Sequence, residues 1–146
     1  MSERVAIVMA AGKGTRMKSE LPKVLFPVLG RPMIHYVLDA LAAAHVDRTI
    51  VVIGYRADDV KQELAGRPNV SFALQAEQLG TGHAVMMCRE QIANHDGPVM
   101  VVAGDSPMMQ PSSLDSLFAE FDRSKPACLL GTHRRPHREA GGSARH

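Results

Sequence analysis

The chain has 146 residues, about the length of one domain, and 45% of them are apolar, which is ordinary for a globular core. A formal net charge of +2 is too small to indicate nucleic-acid binding, and no apolar run approaches the ~20 residues that span a bilayer. The N-terminus enters strand-like sequence at once and leaves no room for a signal peptide. Cys88 and Cys128 lie in apolar runs without metal-ligand spacing, so we expect reduced core thiols in a soluble, cytoplasmic protein.

The first predicted element is a buried, β-branched strand over residues 4–9, which leads into a loop rich in cations. The residues that open this loop have little or no side chain: Ala10, Ala11, Gly12 and Gly14. A ligand can therefore lie directly against backbone N–H groups. Lys13, Arg16 and Lys23 add three positive charges within eleven residues, a combination that suits a polyphosphate.

Two known phosphate-binding loops do not fit this stretch. A Walker A loop needs Ser or Thr after its Lys, whereas Gly14 follows Lys13, and Ile7 occupies the position of its first Gly. A dinucleotide fingerprint needs a third Gly where Met17 stands. A plain strand-to-helix turn with surface cations is the alternative, and the three clustered charges favour the phosphate loop over it.

The rest of the chain alternates between helical and strand-like segments. Helices are predicted over 33–41, 58–64, 84–92 and 111–121, and strands over 48–54, 70–75, 98–103 and 127–130. The strands are apolar throughout, which predicts a parallel sheet covered on both faces, a Rossmann-like three-layer α/β fold. Because ligands of such sheets bind at the carboxyl ends of the strands, the loops that follow them should share one edge.

The segment 75–84, Gln-Ala-Glu-Gln-Leu-Gly-Thr-Gly-His-Ala, is the second informative stretch. Gln75 offers a donor and an acceptor, which matches the amide edge of a pyrimidine. Gly80 and Gly82 let the backbone approach a flat base, and the side chain of Thr81 can cap the helix that follows. Spacing alone does not decide between a base-binding segment and a loop with a helix cap.

Asp105 follows the predicted strand 98–103 and is the third candidate. A carboxylate at a strand end beside a phosphate loop is placed to hold Mg²⁺, which prefers one or two carboxylates plus phosphate oxygens and water. The alternative is an Asp that caps the turn before Pro107. The histidines His35, His45 and His83 are predicted to be surface or packing residues rather than ligands.

The stretch 9–17 with Leu21-Pro22-Lys23 resembles the signature of sugar nucleotidyltransferases. With the segment 75–84 it is similar to the N-terminal uridyltransferase (pyrophosphorylase) domain of the bifunctional N-acetylglucosamine-1-phosphate uridyltransferases. The resemblance covers residues 4 to about 132 and implies the N-terminal part of the nucleotide-diphospho-sugar transferase fold. It also implies UTP and a sugar 1-phosphate as substrates, with neither nucleic acid nor membrane as partner.

The resemblance assigns roles residue by residue. It implies catalytic charges at Arg16 and Lys23, uracil contacts at Gln75, Gly80 and Thr81, and Mg²⁺ at Asp105. The remaining implied substrate-binding residues are Met9, Ala10, Ala11, Gly12, Lys13, Gly14, Ala103 and Gly104. The implied reaction converts UTP and N-acetylglucosamine 1-phosphate to UDP-N-acetylglucosamine and pyrophosphate.

The chain departs from this family after residue 132. We predict a nucleotide-binding part over 1–132 and a disordered tail over 133–146, which has no apolar residue larger than Ala. The family's sugar site and its Asn metal ligand lie beyond this point, so we expect a truncation that impairs turnover. The alternative function is a catalytically inactive nucleotide-binding module or remnant. An unpaired sheet edge would also favour self-association.

Overall fold

A computed structural model describes residues 3–13 and 20–131 of the chain. The predicted tail and the phosphate-loop residues Gly14 and Arg16 lie outside these residues. The strands are β1 (Val5–Met9), β2 (Pro27–Val28), β3 (Arg31–Pro32), β4 (Arg48–Ile53), β5 (Val70–Leu74) and β6 (Val99–Ala103). The helices are α1 (Met33–Ala43), α2 (Ala57–Glu63), α3 (Thr81–Met86), α4 (Arg89–Ile92) and α5 (Pro111–Ser124). Within the described residues, no helix is both long and apolar enough to cross a membrane.

Four strands form one parallel sheet in the order β5–β4–β1–β6. The register aligns Met9 with Val52 on one side and with Ala103 on the other, and it aligns Ile53 with Leu74. The carboxyl ends of all four strands therefore lie along one edge of the sheet. This is the arrangement that the alternating pattern of the sequence predicts.

The central strand β1 shows why the fold has three layers. Side chains of successive residues in a strand point to opposite faces of the sheet. Ala6 and Val8 enter a core with α1, α2 and α5, whereas Val5 and Ile7 enter a second core with α3 and α4. All four residues are fully buried. Both sheet faces are thus covered, which explains why this strand is apolar at every position.

The helices follow the predicted patterns with one difference. In α5, Pro111 stands in the first turn, Leu114 and Phe118 are buried, and Leu114 packs in the core that includes Ala6 and Val8. The predicted helix 84–92 is divided into α3 and α4, separated at Met87 and Cys88. Its inner face is nevertheless continuous, because Ala84 and Cys88 are both buried in the second core.

The predicted fifth strand, residues 127–130, is not present. This segment forms no strand, and Ala127, Cys128 and Leu130 are exposed, so the prediction of a core thiol at Cys128 is also wrong. An apolar run becomes a strand only where a neighbouring strand accepts its backbone hydrogen bonds. Among the described residues none pairs with this segment, whereas Cys88 is buried as predicted.

A small hairpin that the sequence analysis does not predict joins the first loop to α1. It consists of β2 and β3, and its turn residues Leu29 and Gly30 have φ angles of 52° and 77°. Two positive φ angles are typical of a type I′ hairpin turn. Tyr36 of α1 donates a hydrogen bond to the carbonyl oxygen of Val28 at 2.6 Å, which holds the hairpin against the helix. Its strands are too short to leave a periodic signal.

A surface network joins α1 to the chain after α2 and predicts a pH effect on stability. Burial alone would raise the pKa of Asp39, but hydrogen bonds from Arg31 and Arg67 outweigh it and lower the pKa below 3.8. A lowered folded-state pKa stabilises the protein above the unfolded pKa, and the contribution disappears as the pH falls through the folded-state pKa. Because the side chains of Asp39 and Arg31 are exposed, their contribution to the free energy of unfolding should stay below about 1 kcal/mol.

Urea unfolding of the wild type and Asp39→Asn between about pH 6 and about pH 2.5 measures this contribution. We expect the wild type to be the more stable protein at pH 6 and the difference to vanish as the pH falls below 3.8. A difference that stays constant over the whole range would contradict the assignment to this carboxylate.

Candidate active site

Four loops meet at the carboxyl edge of the sheet and are tied together by backbone hydrogen bonds. Ala10 donates to Val52 at 2.9 Å, and Gly104 donates to the carbonyl oxygen of Met9 at 2.9 Å. The backbone N–H of Gln75 donates to Ile53 at 2.8 Å. The segments that the sequence analysis singles out after β1, β5 and β6 are therefore held along one rim.

The first loop turns outward after two buried residues. Ala10 and Ala11 are buried, whereas Gly12 and Lys13 are exposed. The ammonium group of Lys13 lies 5.3 Å from the centre of the Tyr55 ring, a cation–π distance. The hydroxyl of Tyr55 in turn donates to the carbonyl oxygen of Glu20 at 2.9 Å. Tyr55 thus contacts both Lys13 and Glu20.

Gly54, directly after β4, permits the closest approach of the loops. A Cβ atom at this position would lie 2.6 Å from the carbonyl oxygen of Gln75 and 3.1 Å from Cβ of Ala11. The side-chain nitrogen of Gln78 fills the adjacent space and donates to the carbonyl oxygen of Ala11 at 2.7 Å. Gly54 and Gln78 therefore fix the spacing between the loop after β1 and the segment 75–84. Neither residue is among the predicted site residues, although a Gly that ends an apolar strand is a recognisable sequence signal.

Lys23 and Asp105 form an ion pair at the β6 end of the rim. Their Nζ and Oδ2 atoms are 2.7 Å apart, and the side chains are 46% and 29% exposed. Lys23 opens a single 3₁₀ turn whose next two residues, Val24 and Leu25, are buried. Gly104 makes room for this turn, because a Cβ there would lie 2.9 Å from Val24. The predicted catalytic cation and the predicted metal carboxylate are thus neighbours.

The residues around Asp105 are compatible with a Mg²⁺ ion that binds together with phosphate. Within residues 3–13 and 20–131, no group of three or more His, Cys, Asp or Glu residues could hold a metal on its own. Mg²⁺ does not need such a group, because it commonly binds one or two carboxylates and completes its shell with phosphate oxygens and water. The partly exposed carboxylate of Asp105 matches that donor set.

Gln75 is only 3% exposed, and its side chain contacts two other residues of the segment 75–84. Its Nε2 atom lies 3.3 Å from the carbonyl oxygen of Gly80 and 3.0 Å from Nδ1 of His83. Gly80 has a φ of +100°, a conformation that a residue with a side chain rarely adopts. This turn brings Gly80 and His83 back to the amide at the end of β5.

The structure contradicts one prediction for this segment, the capping role of Thr81. Gly80, not Thr81, occupies the N-cap position of α3, and no side chain caps this helix. Thr81 lies one residue too late for capping and is exposed, so the capping role is wrong. His83, predicted as a surface or packing residue, is half-buried, and its ring nitrogen contacts the Gln75 amide, which agrees with a packing role.

Residues 6–141 of the chain match a protein family described as "MobA-like NTP transferase domain". The chain belongs to this family. The resemblance to the sugar nucleotidyltransferases and the predicted fold class are thereby confirmed, since solved nucleotidyltransferases share this fold. The observed parallel sheet, with its loops on one rim, is the MobA-like domain of this chain.

Curated relatives of this MobA-like domain are considerably longer proteins. The Bifunctional protein GlmU of Listeria monocytogenes serotype 4a is 45% identical over 133 residues, which are 90% of this chain and 29% of that protein. The Bifunctional protein GlmU of an Exiguobacterium strain is 48% identical over 120 residues, or 82% of this chain and 26% of that protein. The chain thus spans less than a third of the length of these relatives.

Solved structures support the same placement. A nucleotidyl transferase from Methanothermobacter has a TM-score of 0.69 and 28% identity, over 80% of this chain and 57% of its own. HddC from Yersinia pseudotuberculosis, complexed with GMP-PN, has a TM-score of 0.61 and 26% identity, over 72% of this chain and 48% of its own. The MobA-like domain of this chain therefore shares its architecture with a solved nucleotidyl transferase and with HddC, which was solved in complex with GMP-PN.

Proposed function

We propose that this protein is a uridylyltransferase that uses UTP and N-acetylglucosamine 1-phosphate to form UDP-N-acetylglucosamine and pyrophosphate. The observation that supports it best is the shared rim: Gln75 follows β5, the small-residue loop follows β1, and Asp105 follows β6. Three strand spacings of about 4.8 Å separate the first of these from the last. One extended nucleoside triphosphate can therefore place its base at β5 and its phosphates between β1 and β6.

The proposed chemistry needs positioned charges rather than a protein nucleophile. A phosphate oxygen of the sugar phosphate attacks the α-phosphorus of UTP, and the bond to the β,γ-pyrophosphate breaks, so that pyrophosphate leaves. Lys23 and Arg16 would stabilise the negative charge on the transferred and leaving phosphates. Mg²⁺ would be held by Asp105 and would add charge neutralisation when bound.

The base would be recognised at the opposite end of the rim. Gln75 presents an amide at the end of β5, and Gly80 and Thr81 follow at the start of α3. The segment 75–84 therefore forms the uracil site of the proposal. The identity of 45% to a GlmU protein supports the choice of uridine and N-acetylglucosamine over other pairs of substrates. We also propose the cytoplasmic location that the sequence analysis expects.

Binding of UTP and CTP, measured by calorimetry with and without Mg²⁺, tests the nucleotide part of this proposal. We expect UTP to bind at least about tenfold more tightly than CTP. The reason is that cytosine would make about one hydrogen bond fewer than uracil with the proposed base site. We also expect Mg²⁺ to strengthen UTP binding, since it screens the phosphates beside Asp105. Equal affinity for the two nucleotides, or no binding, would reject the assignment.

Release of pyrophosphate on addition of N-acetylglucosamine 1-phosphate tests the transfer step. Turnover that depends on the sugar phosphate would establish the uridylyltransferase. Selective UTP binding without any pyrophosphate release would instead identify a nucleotide-binding module, the alternative that the sequence leaves open. The same assay with glucose 1-phosphate and glucosamine 1-phosphate as acceptors determines which sugar phosphate is used.

A further inference from the structure

We propose that His83 is a positioning residue, which fixes the orientation of the Gln75 amide so that the site selects bases carrying an N–H donor at ring position 3. This inference rests on the proposed binding of a uridine nucleotide. It adds a residue that sets nucleotide specificity without being required to touch the base.

The orientation of the amide follows from its two neighbours. The atom of Gln75 that lies 3.3 Å from the carbonyl oxygen of Gly80 must be the NH₂ group, because a backbone carbonyl can only accept a hydrogen bond. The same nitrogen lies 3.0 Å from Nδ1 of His83. The NH₂ group has two hydrogens, and one can be donated to each acceptor.

This arrangement also defines the state of the imidazole. Gln75 can donate to Nδ1 of His83 only in the tautomer that has a lone pair on Nδ1 and the ring proton on Nε2. An imidazole is therefore the second acceptor that the Gln75 amide needs. The contact to Gly80 alone is long at 3.3 Å, and it would hold the amide less firmly.

As a consequence, the side-chain oxygen of Gln75, Oε1, remains available as a hydrogen-bond acceptor. Both N–H bonds are used inside the segment, and no described residue donates to Oε1. Uracil has an N–H donor at position 3, whereas cytosine has a lone pair there, so this oxygen pairs with uracil and repels cytosine. Because Gln75 is only 3% exposed, water cannot readily replace the missing partner of a misoriented amide.

The decisive comparison is between variants that keep or remove the acceptor at position 83. In His83→Ala and His83→Leu the only remaining acceptor among the described neighbours is the distant Gly80 carbonyl oxygen, so the Gln75 amide is held less firmly and can turn its NH₂ group toward the base. In His83→Asn the side-chain oxygen can take the place of Nδ1. His83→Ala could be destabilised by the cavity that it leaves. Leu has about the volume of His, so His83→Leu removes the acceptor at position 83 while it keeps the packing.

We expect the ratio of CTP to UTP dissociation constants, measured by calorimetry in Mg²⁺, to fall by about tenfold in His83→Ala and His83→Leu. His83→Asn should retain most of the wild-type ratio. An unchanged ratio in the acceptor-free variants would overturn the inference, as would a parallel loss of affinity for both nucleotides, which indicates a merely structural role. If the wild type itself does not prefer UTP, the proposed function fails, and the two failures are therefore distinguishable.

Discussion

Replacing Asp105 with Asn should remove the Mg²⁺-dependent part of UTP binding. Asn keeps the shape of the side chain but has no charge, and Mg²⁺ favours carboxylate oxygens over an amide oxygen. UTP affinity of the variant should therefore be the same in Mg²⁺ and in EDTA. If the wild type releases pyrophosphate, the rate of release should fall by about 10²–10³-fold in the variant, the usual loss when one charge-stabilising group of an active site is removed.

Loss of folding cannot account for this result. Lys23 is the ion-pair partner of Asp105, but both side chains are partly exposed, and such pairs contribute about 0–1 kcal/mol. Thermal unfolding should therefore be nearly unchanged. Asp96→Asn is a matched control, because Asp96 is an exposed carboxylate near the opposite end of β6. Mg²⁺ enhancement of UTP binding that survives in Asp105→Asn would exclude this carboxylate as the metal ligand.

Gly54→Ala should lower both stability and nucleotide affinity. The new Cβ would meet the backbone oxygen of Gln75 at 2.6 Å, and the backbone of Gln75 cannot move aside easily because its N–H is hydrogen-bonded to Ile53. Overpacking of this kind costs about 1–3 kcal/mol of unfolding free energy. Relief of the clash must push the end of β5 away from the phosphate loop, so UTP binding should weaken as well.

Gly66→Ala provides the matched control for this substitution. A Cβ at Gly66 meets no heavy atom within 4 Å, and Gly66, like Gly54, has no positive φ that would strain an L residue. Its unfolding free energy should change by less than about 1 kcal/mol, with a gain expected from the stiffer unfolded chain. Urea unfolding of both variants tests the contrast. Equal stabilities would show that the rim tolerates a side chain at Gly54.

Several parts of the candidate site were readable as local patterns. The small-residue loop after β1, the amide at the end of β5 and the carboxylate after β6 each stand directly after an apolar strand. Parallel strands bring their carboxyl ends to one edge, so the fold class already implied that these segments converge. The roles of individual residues, including Met9, Ala103 and Arg16, stay predictions.

Other parts depended on contacts between distant segments. Nothing in the local sequence indicates that Lys23 pairs with Asp105, that Gln78 reaches Ala11, or that His83 contacts Gln75. These pairs form because a 3₁₀ turn, a loop and a short helix fold back over the rim. Side-chain pairing across elements leaves no periodic signal, so a reading of propensity and spacing does not reach it.

The sequence by itself determined the layers of this protein. The sequence alternates wholly apolar strands with helices that are apolar on one face. Because each element must bury its apolar surface, this pattern predicts a parallel sheet covered by helices on both faces. Only the tertiary structure decided the strand order β5–β4–β1–β6, the close approach at Gly54 and the absence of a strand over 127–130. The physical reason is that a strand is completed by hydrogen bonds to a neighbour and a site by contacts across loops, and neither is a property of a local segment.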